Sequence, residues 1–270
     1  MKRSITHFFL TCGALLLALA LNSFAFAQAK PAAKAPAKTE AAAPAPRNLL
    51  RIQFLRIKTG MNTEWQAFRK SESLPALRKG GTKEQTVSAM SVFGEAGYLV
   101  VTPIESLAQF DSPSPIVQAL GQEGATAYAA RAARFVESAH YLALETRPEL
   151  SSPPAQNYQA KLFVITTTTV APGRFDDYES YVKTALLPVI KQAAPRGYLL
   201  GRVAYGGQTN QYMSALFVDS WAELQRYREA LTKAATAAKL AGKTAGIVLG
   251  TENTVYRFQP ELSILPTAQQ

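Results

Sequence analysis

From residue 48 onward two hydrophobic periods alternate along the chain. Ile52, Phe54, Leu55 and Ile57 interleave with Arg51, Gln53, Arg56 and Lys58, the pattern of a half-buried strand. Residues 162–170 repeat it, with Thr166 to Thr169 supplying β-branched side chains that suit a pleated surface. A helix follows each strand. In the second case Phe175, Tyr178, Val182, Ala185, Leu186 and Val189 recur at helical spacing, and Asp176 and Asp177 fall in the first turn, where the helix dipole favours negative charge. Pro75 and Pro188 lie at the same late point of the two helices and are expected to kink or end them. Next come paired strands over about 86–93 with 98–102, and 198–205 with 212–219. Their connections, 94–97 and 206–210, are rich in Gly and Asn and read as hairpin loops. Second helices are expected over about 125–138 and 221–240, and last strands over 140–146 and 253–258.

The two halves match residue for residue at a nearly constant offset, the mark of an internal repeat. Arg147-Pro148-Glu149-Leu150-Ser151 returns 112 positions later as Gln259-Pro260-Glu261-Leu262-Ser263, and Leu74-Pro75 returns 113 later as Leu187-Pro188. Gly60, Trp65 and Phe68 answer Gly173, Tyr178 and Tyr181, while Phe93-Gly94 answers Tyr205-Gly206. Ser106-Leu107-Ala108 answers Ser220-Trp221-Ala222.

Strand, helix, strand, strand, helix, strand is the ferredoxin-like order. It gives an α+β unit with helices on one sheet face and a second face needing cover, which another such unit can supply. The predicted architecture is therefore two tandem ferredoxin-like βαββαβ units, 48–152 and 158–264, pairing sheet to sheet. On these markers the chain resembles the dimeric α+β barrel superfamily, as a single-chain version. Its Pro-Glu-Leu-Ser motif is similar to exported bacterial members, and the antibiotic-biosynthesis-monooxygenase-like and NIPSNAP-like branches share this form. The resemblance covers roughly residues 48 to 264 and includes no catalytic signature. It implies three activities to test: cofactor-free oxygenation of phenolic substrates, haem chemistry, and simple binding.

Lys2 and Arg3, the apolar run from Phe8 to Leu21 and the small-residue site at Ala25-Phe26-Ala27 have the grammar of a secretory signal peptide, so cleavage after Ala27 and a periplasmic or secreted protein are expected. The apolar run is shorter than the roughly 20 residues of a spanning helix. Residues 28–47, mostly Ala, Pro and Lys, read as an unstructured tether, and 265–270 as a tail. This partition changes the composition. Of 29 basic and 19 acidic residues, six basic residues and only Glu40 precede residue 48, so half of the net charge of +10 lies outside the fold. Nucleic acid is not an expected partner. Self-association remains open.

Cys12 and His7 fall within the predicted signal, so the mature chain would have no Cys and one His. Disulfides, thiol chemistry and Cys-based metal sites are then excluded, and no metal or other cofactor is expected. Haem-using relatives are implied to take a histidine from a helix over the sheet, whereas His140 lies at the start of a strand; its plainer reading is an exposed strand-edge residue. The candidate ligand-binding residues are Tyr128 and Arg131, one helical face apart by three, with Arg134 beside them and His140 following. Six alanines between 125 and 133 would let this helix approach the sheet closely; the plainer reading is that the alanines pack and the arginines are solvated. Trp65, Phe68, Phe175, Tyr178 and Tyr181 could line a pocket or form core, and Trp221 is expected to pack. The leading functional reading is an exported protein binding a small organic ligand or a partner. The alternatives are a monooxygenase-like enzyme on an aromatic substrate, with His140 as base, and a purely structural envelope domain.

Overall fold

The structure, a computed structural model, describes residues 48–266 except 95, 156 and 157. The signal, the tether and the last four residues of the tail lie outside the described residues. Eight strands are present: β1 Leu49–Ile57, β2 Thr86–Met90, β3 Tyr98–Ile104, β4 Val136–Thr146, β5 Leu162–Val170, β6 Gly197–Tyr205, β7 Gln211–Val218 and β8 Val248–Phe258. They close into an antiparallel barrel in the order β1-β3-β2-β8-β5-β7-β6-β4. The first four strands occupy one contiguous arc in the order β4-β1-β3-β2, and the last four follow the same order as β8-β5-β7-β6. The arcs join edge to edge, through Ser88↔Phe258 to Met90↔Tyr256 and through Ala143↔Tyr205 to Thr146↔Gly201. The seams are short, four register pairs between β4 and β6 and three between β2 and β8, and the first halves of β4 and β8 beyond them are exposed.

Alternation along the strands divides the apolar residues between two cores. Ile52, Leu99, Leu142, Ile165, Val203 and Met213 meet inside the barrel. Space there is tight at the junction: a Cβ on Gly201 would lie 2.6 Å from Leu144 Cγ. The residues between them face outward. Leu55, Ile57, Val87 and Val100 pack with Trp65 under the helices of the first arc, and Leu162, Val170, Leu200 and Val218 with Tyr178 under those of the second.

The helices carry the clearest corrections. Pro75 and Pro188 do not end the helical path, but the regular α-turns are interrupted just before each of them, at the point where a kink or end is expected. Helix α1 (Asn62–Phe68) runs through a π-turn, Arg69–Ser73, into α2 (Leu74–Lys79); α4 (Phe175–Tyr181) runs through Val182–Leu186 into α5 (Leu187–Gln192). Leu74 N donates to Arg69 O, and Leu187 N to Val182 O, each five residues back. The wider turn accommodates a proline that has no N–H to give and whose ring would strike the carbonyl four residues back. Helix α3 (Pro115–Ala133) starts ten residues before the expected position, with Ser114 accepting from Val117 N and non-helical backbone at Gly121. Val136 to Ser138, expected as helix, instead open β4 against Ile57 and Arg56. Helix α6 (Trp221–Ala237) is capped by Ser220, which accepts from Glu223 N.

The Pro-Glu-Leu-Ser markers stitch the two arcs together. Each forms a 3₁₀ turn, Pro148–Leu150 or Pro260–Leu262, whose leucine is buried. Ser151 Oγ donates to Arg147 O and accepts from Leu200 N of β6; Ser263 Oγ donates to Gln259 O and accepts from Val87 N of β2. Both turns satisfy a backbone donor of the other arc, which a barrel seam must do for every buried N–H.

Candidate functional site

Three of the four candidate residues lie on or at the end of α3. The Tyr128 hydroxyl donates to Ser73 Oγ at 2.8 Å, and its ring packs 5.3 Å from that of Phe68. Arg131 lies against Glu72, with Nη2 2.7 Å and Nε 2.9 Å from Oε2. Arg134 is exposed at the C-cap. His140 is exposed on β4 with its ring 6.4 Å from Phe54. The structure thus gives Tyr128, Arg131 and His140 separate partners. His140 is the only described histidine and comes from a strand, so these residues do not fit a haem held by a helix histidine. Among the described residues no group of three or more His, Cys, Asp or Glu could hold a metal ion. Trp65, Phe68 and Tyr178 are core, and Phe175 and Tyr181 pack against it.

A buried polar cluster marks the β4–β6 seam. Arg147 is 4% exposed, with Nη1 2.8 Å from Glu145 Oε2 and Nε 3.1 Å from Glu179 Oε1. Burial would lower its pKa, but the two carboxylates outweigh that and hold it above the ordinary value. Tyr212, fully buried, donates to Glu179 Oε1 at 2.8 Å and packs 4.7 Å from Tyr178. Burial first, and Glu179 second, push its phenol up, so it stays a donor. Arg202 lies 3.8 Å over the Phe175 ring. The first arc has the neutral equivalent, with Tyr98 packed 4.1 Å from Trp65 and accepting from Gln66 Nε2 at 2.9 Å. Arg147 and Tyr212 are closed to solvent, while the Glu145 and Glu179 side chains that hold them remain partly exposed.

Open surface lies at the other seam. There β2 borders β8, and the loop after β2 reaches the start of α6, where Phe93 meets Trp221 edge to face at 5.9 Å. Phe93 is 63% exposed, an unusual state for a large apolar side chain held in a defined ring contact. Phe93, Trp221, Leu224, Gln225, Arg228, Glu229, Thr232 and Lys233 line an open groove of about 820 Å³. The seven helix residues are spaced by three and four, so they form one stripe down α6. Leu224 is buried and anchors the stripe, while Arg196 pairs with Glu223 and steadies the helix start. Position 93 is expected within a strand but lies beyond its end, whereas Trp221, expected to pack, does pack against the core of the second arc and meets Phe93 as well. The available signal was the stripe itself, aromatic at its start and cationic farther on. At the β4–β6 seam the corresponding positions are Tyr205 and Leu107, so no second aromatic pair forms.

No family model matches the chain, and no curated protein does. Similarity to solved structures is at the level of fold. The chain is similar to proteins named "putative monooxygenase" from Lactobacillus acidophilus NCFM (11% identity, 79% of this chain and 94% of that chain, TM-score 0.52) and from Fusobacterium nucleatum subsp. nucleatum (10%, 78% and 92%, 0.53). It is equally similar to a mutant chlorite dismutase from Candidatus Nitrospira defluvii (10%, 79% and 92%, 0.52). These likenesses establish the class: a mixed α+β protein with a closed eight-stranded antiparallel barrel of the ferredoxin-like, dimeric α+β barrel kind. One fold housing differently named proteins leaves activity to be argued from the site.

Proposed function

We propose that the protein is an exported, single-chain dimeric α+β barrel made of two copies of one βαββαβ unit, 48–152 and 158–264, that binds a small organic ligand in the groove between the Phe93 loop and α6. The observation that carries this is the contact of exposed Phe93 with half-buried Trp221 at the head of an open groove. Its volume falls within the range of small-molecule sites, and its lining joins Phe93 of the first arc to seven residues of α6. The matching strand orders and the two Pro-Glu-Leu-Ser clips support the duplication. Export rests on the N-terminal grammar of residues 2–27. Native mass spectrometry of protein purified from the periplasmic fraction tests the reading: the expected species begins at Gln28 and retains an organic mass of a few hundred daltons. Recovery of the chain from the cytoplasmic fraction alone would refute export, a periplasmic chain starting at Met1 would refute cleavage, and a bare polypeptide mass would refute retention.

A second reading, a monooxygenase-like enzyme on an aromatic substrate, draws on the names of two structural neighbours. Its base would be His140. Turnover of an added phenolic substrate, lost in His140→Ala, would establish it; turnover unchanged by that substitution would remove the proposed base.

A further inference from the structure

We infer that the groove selects a fused-ring aryl acid, a carboxylate or sulfonate whose rings lie on Phe93 and Trp221 and whose anion meets Arg228. This deepens the ligand-binding reading above and rests on it. Along α6 the rise of about 1.5 Å per residue places Arg228 roughly 10 Å past Trp221, about the length of a two-ring acid. Aromatic surface at one end and cations at the other define an amphipathic ligand with its charge at the end.

The sign of that charge follows from the groove's own lining, which sets Arg228 and Lys233 against one carboxylate, Glu229. Among the described residues, the side chains of Arg228 and Lys233 have no hydrogen-bond or ion-pair partner. The one carboxylate in the groove, Glu229, accepts from Gln225 Nε2 at 3.1 Å, although Lys233 stands four residues on, a spacing that permits a pair. Adjacent positions 228 and 229 project about 100° apart on the helix, so Glu229 does not share the direction of Arg228. Arg228, a planar guanidinium suited to bidentate acids, is left for a bound anion.

The test is isothermal titration of the full-length chain with 2-naphthoate, 2-methoxynaphthalene and 2-naphthylmethylammonium. The inference expects 2-naphthoate to bind tightest, Arg228→Gln to weaken it about fivefold while leaving 2-methoxynaphthalene unchanged, and Trp221→Ala to weaken both. Arg228 is exposed, so its substitution leaves folding intact. Equal binding of the three probes, unaffected by Arg228→Gln, would overturn the acid specificity while leaving a groove that binds rings. Naphthoate binding unaffected by Trp221→Ala would place the site elsewhere and overturn both readings. No binding of any probe, beside a retained native ligand, would overturn the aryl-acid class alone.

Discussion

Replacing Arg147 by Met tests whether the β4–β6 seam is held by charge. The substitution keeps most of the side-chain volume and removes the cation that Glu145 and Glu179 share. Removing one partner of a buried ion pair costs about 3–5 kcal/mol. Arg147 is nearly fully buried, but the Glu145 and Glu179 side chains are 34% and 23% exposed, so solvent relieves part of the cost and about 2–4 kcal/mol is expected. Adding Glu179→Gln should recover at least about 1 kcal/mol, because an amide can accept from Tyr212 and removes one of the two charges. Urea unfolding of the single and double variants gives these differences from the midpoints at constant slope. A deficit under about 1 kcal/mol would refute the charge-held seam.

Three further outcomes follow from the geometry. Gly206→Ala should cost about 3 kcal/mol in urea unfolding, since φ is +80° and the new Cβ would lie 2.3 Å from Tyr141 O, whereas Gly60→Ala, at φ +82° with open space, should cost only about 1–2 kcal/mol. Tyr98→Phe should cost about 1 kcal/mol in the same assay through loss of the Gln66 hydrogen bond, with the Trp65 ring contact kept. His140→Ala should shift stability by no more than about 0.5 kcal/mol, measured by thermal unfolding, because His140 is exposed and pairs only with the Phe54 ring.

Much of the fold was legible because barrel strands keep strict alternation. Residues 162–170 were assigned to the residue, and the offset markers at Leu-Pro and Pro-Glu-Leu-Ser located equivalent places in the chain. What composition could not show was the role of those markers. The hydroxyls of Ser151 and Ser263 act across the seam on β6 and β2, a contact made between residues up to 176 positions apart. The prolines marked the right places, since the α-helix is interrupted at each, but one widened turn lets the chain continue as helix where an end was the alternative. Val136 to Ser138 misled for a tertiary reason: pairing with β1 outweighed the helical run of alanines before them. The groove was hidden for the same kind of reason. Its helix stripe is local and could be read, but the Phe93 loop reaches it only because β2 closes on β8.

The most direct test of the account compares wild type and Trp221→Ala, both purified from the periplasmic fraction, by native mass spectrometry with far-ultraviolet circular dichroism as the control for folding. The account predicts that wild type carries a small organic mass and that Trp221→Ala, equally folded, has lost it. An equally folded Trp221→Ala that still carries the same mass would place the ligand outside the groove and contradict the account.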